Sequence, residues 1–270
     1  MRKIKEKTLM ILLYLSAIIT VGILVCILGF IFLKGYKLIS PDFIFGDYSA
    51  SGGGIFPMVV STIYTVGVSI LVATPIGILA AVYLQEYAKQ GKFVRAIRFS
   101  TECLAGIPSI IYGLFGALFF VGTLKMGYSI LAGALTVSII ILPVIIRTTE
   151  EAIKVVPISY KEASLGLGAT KFQTLYKVIL PSCIPGIISG VILSIGRVIG
   201  ESAAFLLTAG TVAKMPTGIM SSGRTLTVQA YLVTKEAGDI EQAAAIGIVL
   251  IVIILILNFS AKFVTKKFSN

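Results

Sequence analysis

Long apolar stretches alternate with short segments rich in lysine and arginine along this 270-residue chain. Six of the stretches reach the length of about twenty residues that a helix needs to cross a hydrocarbon layer about 30 Å thick. The pattern therefore predicts an all-α integral membrane protein with six transmembrane helices. The predicted spans are residues 8–33, 57–84, 103–124, 127–146, 182–208 and 242–262.

The composition supports a membrane protein. Hydrophobic residues make up 57% of the chain, charged residues make up 13%, and the mean hydropathy is +1.00, whereas soluble domains average about 45–50% apolar and 25% charged residues. The net charge of +11 does not indicate nucleic-acid binding, because the charges lie in short runs between apolar stretches. We expect a lipid bilayer around the chain, no nucleic acid among its partners, and a single transmembrane domain over residues 1–270 with its core at 52–262.

The basic residues predict the orientation of the chain. Sixteen of the 23 Lys and Arg residues lie on the side of the predicted bilayer that holds both chain ends, and six lie on the other side. Because basic loops stay in the cytoplasm, we expect a multi-pass protein of the cell membrane with both termini cytoplasmic. The first apolar run has the basic flank of a signal peptide, but its 26 uncharged residues predict an uncleaved first span.

Several kinds of catalytic and metal site are excluded by residue type. The sequence contains no histidine, which rules out His-ligated zinc and Ser–His–Asp triads. Its three cysteines, at positions 26, 103 and 183, are far apart in apolar surroundings. We expect them to be buried free thiols rather than part of a disulfide or a metal site.

The chain also lacks a phosphate-binding loop of its own. The nearest match ends in Gly91-Lys92, but Glu86 stands where the first glycine is required and Phe93 where Ser or Thr is required. The sequence therefore predicts that this chain is not an ATPase and binds no cofactor.

Arg197 and Glu201 are the only ionisable residues well inside a predicted span. A charged side chain at mid-bilayer costs about 2.5–3.5 kcal/mol on translocon scales. Their spacing of four predicts that they share one helix face and partly neutralise each other. Either they form an ion pair that ties this helix to a neighbour, or Arg197 lines a water-accessible path and attracts an oxyanion through its planar guanidinium.

A proline interrupts the third span at Pro108, followed by Ser109. Proline cannot donate a backbone hydrogen bond, so the freed groups must be satisfied by neighbours or line a cavity. Broken helices are common near the substrate paths of transporters. The segment predicts either a simple kink or a substrate contact at Ser109.

A polar segment after the fourth span has the signals of two short helices. Ser159 and Glu162 fit a capping box at the start of the first helix, and Gly168 fits the left-handed residue that ends it. Thr170 and Gln173 fit a capping box for the second helix. Helical spacing predicts that the second helix has one apolar face, formed by Phe172, Leu175, Tyr176 and Ile179.

This segment resembles the EAA loop of the membrane subunits of ABC importers. The resemblance lies in Glu162-Ala163-Ser164, in Gly168, and in the closing residues 178–181, with Ser164 as a small residue in place of alanine. It implies the type I permease fold of ABC importers and a cytoplasmic coupling loop at 150–181 that docks onto an ATP-hydrolysing partner. The alternative is a solvated amphipathic hairpin that contacts no partner.

Three further motifs resemble those of phosphate-importer permeases. They are residues 75–87, 106–113 and 197–203, and with the EAA loop they cover about residues 52–208. The set is similar to PstA-type permeases, and the sister PstC type is the near alternative. The resemblance implies the ATP-driven import of inorganic phosphate by alternating access.

The resemblance also implies partners and roles. The partners would be the sister permease PstC in a heterodimer, two copies of the ATP-binding subunit PstB, which would use the ATP and Mg, and the phosphate-binding protein PstS. The expected substrate-path residues are Arg197, Glu201 and Ser109, and the expected coupling residues are Glu162, Ala163, Ser164 and Gly168.

Other functions remain as alternatives at this point. A permease for sulfate or molybdate would share most of these features. A channel would not need a loop that docks onto an ATPase, and an intramembrane enzyme would need histidine or paired intramembrane aspartates. The predicted outer segment 209–241 fits a solvated connector and a docking surface for an external partner equally well.

Overall fold

The computed structural model describes residues 2–48 and 53–268, and its regular structure there is helical. Residue 52, where the predicted core begins, lies outside the described residues. Twelve α-helices follow one another along the described parts of the chain: α1 Arg2–Gly35, α2 Pro41–Phe45, α3 Phe56–Val82, α4 Lys92–Gly106, α5 Ser109–Gly116, α6 Ile130–Val155, α7 Ile158–Gly166, α8 Lys171–Thr174, α9 Leu180–Ile199, α10 Ala203–Thr208, α11 Leu226–Leu232 and α12 Ile240–Phe268.

Wider π-type turns extend several of these helices. They are Tyr83–Tyr87 after α3, Ala117–Thr123 after α5, Leu175–Ile179 between α8 and α9, and Val233–Ala237 after α11. The third of them joins α8 and α9 into one helix from Lys171 to Ile199. Such turns are rare and often lie at functional sites.

The predicted number of six spans is confirmed when one broken span is included. Five helical stretches are long and apolar enough to cross a membrane alone, and a sixth is formed by α4 and α5 with its π turn. The sixth is bent by 98°, because Pro108 removes a backbone donor where the helix would continue. The fifth predicted span was expected to reach residue 208, but its helix ends at Ile199 and the chain breaks before α10.

The central helix of the bundle is α6, which packs against α3, α4, α5, α9 and α10. The approach of α3 to α6 is close, since a Cβ on Gly77 would lie 2.6 Å from Cγ2 of Ile145. Two hydroxyls join the same helices: Ser69 donates to the Ala134 carbonyl (3.1 Å) and Ser138 to the Ser69 carbonyl (3.2 Å). Small residues and hydroxyls suit contacts between helices in lipid, where burial of apolar surface gives no driving force.

The first span lies at the edge of the bundle, where its main contact is α12. Gly35 permits this contact, because a Cβ there would lie 2.5 Å from the backbone nitrogen of Ala245. Cys26 on α1 and Cys103 on α4 are exposed. The expectation of buried thiols is therefore correct only for Cys183, because an apolar setting on these outer helices means contact with the membrane rather than with the core.

The outer segment 209–241 folds back into the bundle. Thr225, Leu226 and Val228 are buried, and the Leu226 amide donates to the Thr62 hydroxyl of α3 at 3.0 Å. The solvated connector is wrong for this part of the segment. The docking surface for an external partner stays a prediction.

Candidate functional site

The first break in a membrane helix separates α4 from α5. The Leu104 carbonyl in the last turn of α4 accepts from the Ile107 amide at 3.2 Å and from the Tyr112 hydroxyl at 2.7 Å. Tyr112 thus spans the break and adds a second donor to a carbonyl whose usual helical donor, the backbone nitrogen of residue 108, is a proline nitrogen. Pro108 precedes α5 without a side-chain cap, and the half-buried Ser109 is the first residue of α5.

The second break separates α9 from α10. The buried carboxylate of Glu201 accepts from the Ala204 amide at 3.0 Å. It thus satisfies one of the free backbone amides at the start of α10, as the side chain of an N-cap residue does. Its backbone carbonyl accepts from the Thr227 hydroxyl at 2.8 Å. Glu201 therefore holds α10 and α11 in place around the break.

The predicted Arg197–Glu201 pair on one helix face is wrong. Arg197 lies exposed in the last turn of α9, whereas Glu201 lies beyond Gly200, where that helix has ended. The structure shows no ion pair between Arg197 and any carboxylate whose side chain it describes. A cation at a helix C-terminus is stabilised by the helix dipole, so Arg197 does not need Glu201 to moderate its charge.

The two breaks lie next to each other because α5 packs closely on α10. A Cβ on Gly113, one turn after Ser109, would lie 3.0 Å from Cα of Ala204. The structure thus places α5 beside the break that Arg197 precedes and Glu201 caps, although the described contacts include no hydrogen bond from Ser109 to Arg197 or Glu201. Tyr112 was not identified from sequence, although it lies inside the quoted motif 106–113.

The predicted EAA-like segment is a hairpin of two helices (residues 157–181, here the hairpin). Gly168 has φ +85°, and this confirms the predicted left-handed residue. The Gly168 amide donates to the Leu165 carbonyl (3.0 Å) and the Ala169 amide to the Ser164 carbonyl (3.2 Å). These two bonds form a Schellman motif that satisfies the last carbonyls of α7.

One of the two predicted capping boxes is present. The Thr170 hydroxyl accepts from the Gln173 amide, and the Gln173 side chain accepts from the Thr170 amide. The box at Ser159 and Glu162 is wrong, because Pro157 precedes the first helical residue and Ser159 already lies inside the helix.

The second helix of the hairpin does not have the single apolar face that was predicted. Leu175 and Ile179 are buried against Val82 of α3. Phe172 and Tyr176 are each 66% exposed, and their rings stack with centroids 6.3 Å apart. These two i, i+4 pairs lie side by side on the helix, and only the first pair reaches the bundle.

The exposed side of the hairpin is unusually apolar. Glu162 and Ala163 are exposed, while the half-buried Ser164 joins the two helices through a hydrogen bond to the Thr174 hydroxyl (2.9 Å). Contiguous exposed apolar surface on a protein marks an interaction site. The exposed apolar side chains of the hairpin, with Val155 just before it, are here the hairpin surface: Val155, Ile158, Tyr160, Leu165, Leu167, Phe172 and Tyr176.

Sequence reasoning about charge missed two partly buried ion pairs beside the hairpin. Lys161 of α7 contacts Glu86 at 2.5 Å, and Arg98 of α4 contacts Glu150 of α6 at 2.9 Å. Glu86 lies in the motif 75–87, and this motif was the one signal in the sequence that could have identified Glu86 as a functional candidate.

Comparison with known proteins shows the family of the chain. Residues 73–270 match the sequence model of the family described as binding-protein-dependent transport system inner membrane component. The chain belongs to this family. It is thus a permease subunit of an ABC transporter, a membrane component with several spanning helices.

Curated relatives extend the match over most of the chain. A probable ABC transporter permease protein of Bacillus subtilis, YqgI, is 38% identical over 97% of this chain and 95% of its own length. The phosphate transport system permease protein PstA of Pasteurella multocida is 35% identical over 77% of this chain and 75% of its own. PstA of Mycobacterium leprae is 35% identical over 77% and 70%.

Solved structures show the same fold at low sequence identity. A subunit of a bacterial alginate ABC transporter aligns over 98% of both chains with a TM-score of 0.68 and 17% identity. A chain of the MetNI methionine ABC transporter aligns over 80% of this chain and 95% of its own, with a TM-score of 0.62 and 19% identity. The predicted type I permease fold is confirmed.

The cap formed by Glu201 can be tested by two substitutions. Glu201→Ala removes the acceptor of the Ala204 amide and should lower the stability of the protein by about 1–2 kcal/mol, as the loss of an N-cap does. Glu201→Gln keeps an acceptor oxygen and should cost less. Thermal unfolding of the purified protein in detergent measures both, with Glu151→Ala as a control at an exposed carboxylate. Equal stability of the Ala and Gln variants would contradict the cap.

Proposed function

We propose that this chain is the PstA-type permease subunit of an importer that moves inorganic phosphate across the cell membrane by alternating access, driven by ATP. The observation that carries the proposal is the similarity to phosphate transport permeases over most of their length. The adjoining helix breaks and the cation beside them supply the physical support. A PstC-type sister subunit, or a permease for sulfate or molybdate, is the alternative.

The phosphate path is proposed to run past Arg197, Glu201 and Ser109. Arg197 is an exposed cation at the end of a membrane helix, and its guanidinium matches the oxygens of a phosphate better than an ammonium does. Breaks in helices are tolerated in membranes where they line a cavity or lie within protein. Because Arg197 is exposed on this chain alone, the opposite wall of the path is assigned to the sister permease.

The partners follow from the same proposal. They are the sister permease PstC, two PstB subunits that bind ATP and Mg, and the external phosphate-binding protein PstS, while this chain itself binds no cofactor and is not an enzyme. Both termini would be cytoplasmic, and the hairpin would be the coupling loop, with Glu162, Ala163, Ser164 and Gly168 as its characteristic residues. Its stacked Phe172 and Tyr176 and its exposed Leu167 are the apolar anchors that a pocket of PstB would receive.

The proposed path is tested by phosphate uptake into vesicles that contain the whole complex. Arg197→Gln should lose nearly all uptake, because the charge is lost, whereas Arg197→Lys should keep part of it, because it keeps the charge but not the planar fork. Arg147→Gln is the control, since Arg147 is an exposed cation on another helix. An excess of sulfate or molybdate should not reduce uptake of labelled phosphate.

Two results would contradict this assignment. Uptake at the unmodified rate by an assembled Arg197→Gln complex would show that Arg197 does not serve the path. Strong inhibition by sulfate or molybdate, with weak phosphate uptake, would favour the other oxyanion permeases.

The coupling role of the hairpin is tested at Gly168. A Cβ at Gly168 or at Gly166 would meet nothing within 4 Å, but only Gly168 has a positive φ. Gly168→Val should therefore strain the backbone by about 1–2 kcal/mol or shift the turn, and so lose ATPase association and uptake. Gly166→Val should keep both. Co-purification of the ATPase and phosphate uptake, at equal amounts of the permease in the membrane, are the measurements. Normal association in the Gly168→Val complex would contradict the coupling role.

A further inference from the structure

The end of the second span is held by both helices of the hairpin. The carboxylate of Glu86, in the π turn after α3, contacts Lys161 of α7. The backbone carbonyl of Glu86 accepts from Lys171, the first residue of α8. Lys171 also lies 4.7 Å from the ring centre of Tyr87, a distance at which a cation is attracted to an aromatic face. Residues 86 and 87 are thus fixed by one lysine from each helix.

Burial makes this contact stronger than an ordinary surface ion pair. The Glu86 side chain is 10% exposed and that of Lys161 is 34% exposed, whereas the pair of Arg147 and Glu151 is 68% and 62% exposed. Exposed pairs contribute little to stability because water and salt screen them. Removal of one partner from a buried pair leaves an uncompensated charge. We therefore expect the ion pair of Glu86 and Lys161 to stay formed, whereas the exposed pair of Arg147 and Glu151 should open readily.

Apolar packing joins the same two elements. Val82, at the end of α3, packs in one cluster with Leu175 and Ile179 of the hairpin. The hairpin is itself closed by the hydrogen bond between Ser164 and Thr174. The hairpin and the end of α3 therefore share charged, polar and apolar contacts.

The same short segment also contacts the broken span. Arg98 of α4 donates to Gln85 (3.4 Å) and to Gln90 (3.2 Å), which flank Glu86, and it also forms the ion pair with Glu150 of α6. The helix that carries Arg98 leads directly to the break at Pro108. Residues 85–90 thus connect the hairpin on one side with α4 and α6 on the other.

We propose that Glu86 is a positioning residue of the transport cycle, which locks the hairpin to the end of α3 so that the two move as one body. Arg98 then carries their displacement to α4 and so to the break beside the substrate path. This inference rests on the proposed transport function, because it assigns a role within that cycle. The described contacts of Glu86 are with Lys161 and Lys171, and neither residue belongs to the proposed substrate path or to the hairpin surface.

The rigid contact is tested by the distance between two spin labels in the whole complex. The labels replace Ser159 on α7 and Lys89 after the π turn, both of them exposed, and the three native cysteines are replaced. The distance distribution should be narrow, and should be the same without nucleotide and after trapping with ATP and vanadate. Glu86→Gln and Lys161→Gln should broaden it, Lys161→Arg should keep it narrow, and Glu151→Gln is the control.

The transport readout uses the same variants without labels. The number of ATP molecules hydrolysed per phosphate imported should rise severalfold in Glu86→Gln and in Lys161→Gln, because movement of the hairpin would no longer be passed on to the end of α3. The double variant should be no worse than either single variant, because both remove one interaction. Lys161→Arg should stay close to the unmodified ratio.

Several results would overturn the proposal. The first is a label distance that changes between the two nucleotide states of the unmodified protein. The second is a pair of single variants whose distance distribution and ATP-to-phosphate ratio equal those of the unmodified protein. The third is a double variant whose losses are the sum of the single losses. Failure of both single variants to assemble would also contradict it, since Glu86 would then hold the complex together rather than position the hairpin. If the unmodified complex imports no phosphate, the proposed function fails, while the label distances still decide the role of Glu86.

Discussion

Within a bilayer every backbone donor and acceptor needs a partner in the protein, and the architecture of this chain follows from that constraint. Continuous helices meet it by themselves. The two breaks meet it with side chains: Tyr112 donates to the Leu104 carbonyl in the third span, and Glu201 accepts from the start of α10 in the fifth. A break is tolerated only where such partners exist, so these side chains determine where each helix can be interrupted. Both breaks lie where α5 packs on α10.

Beyond the breaks, the hairpin is fixed to the bundle on one side only. The hairpin is closed by the left-handed turn at Gly168, and it is joined to α3 by Glu86 and to the bundle by Leu175 and Ile179. Its apolar side chains on the other side remain uncovered. An element that is held by the bundle on one side and exposes apolar side chains on the other fits the proposed role of a coupling loop. A solvated connector would need neither feature.

Local signals in the sequence predicted local structure well. Six spans, the left-handed Gly168 and the cap at Thr170 depend on neighbouring residues, and all three predictions are confirmed. Errors arose where one backbone event overrode the local pattern: Pro157 moved the start of α7, and Gly200 ended α9 before Glu201. The contact between Glu86 and Lys161 joins residues 75 positions apart, and no periodicity or capping rule reports on such a pair.

The central claim is that the hairpin faces the compartment that supplies ATP, while the breaks lie on the path across the membrane. The side of the membrane reached by Leu167, which is 90% exposed, tests this claim most directly. A Leu167→Cys variant without its native cysteines, produced without the ATP-binding subunit that would cover Leu167, would be treated with a membrane-impermeant maleimide in intact cells and in inside-out vesicles. The account predicts labelling only in the inside-out vesicles. Labelling in intact cells would place the hairpin outside and contradict the account.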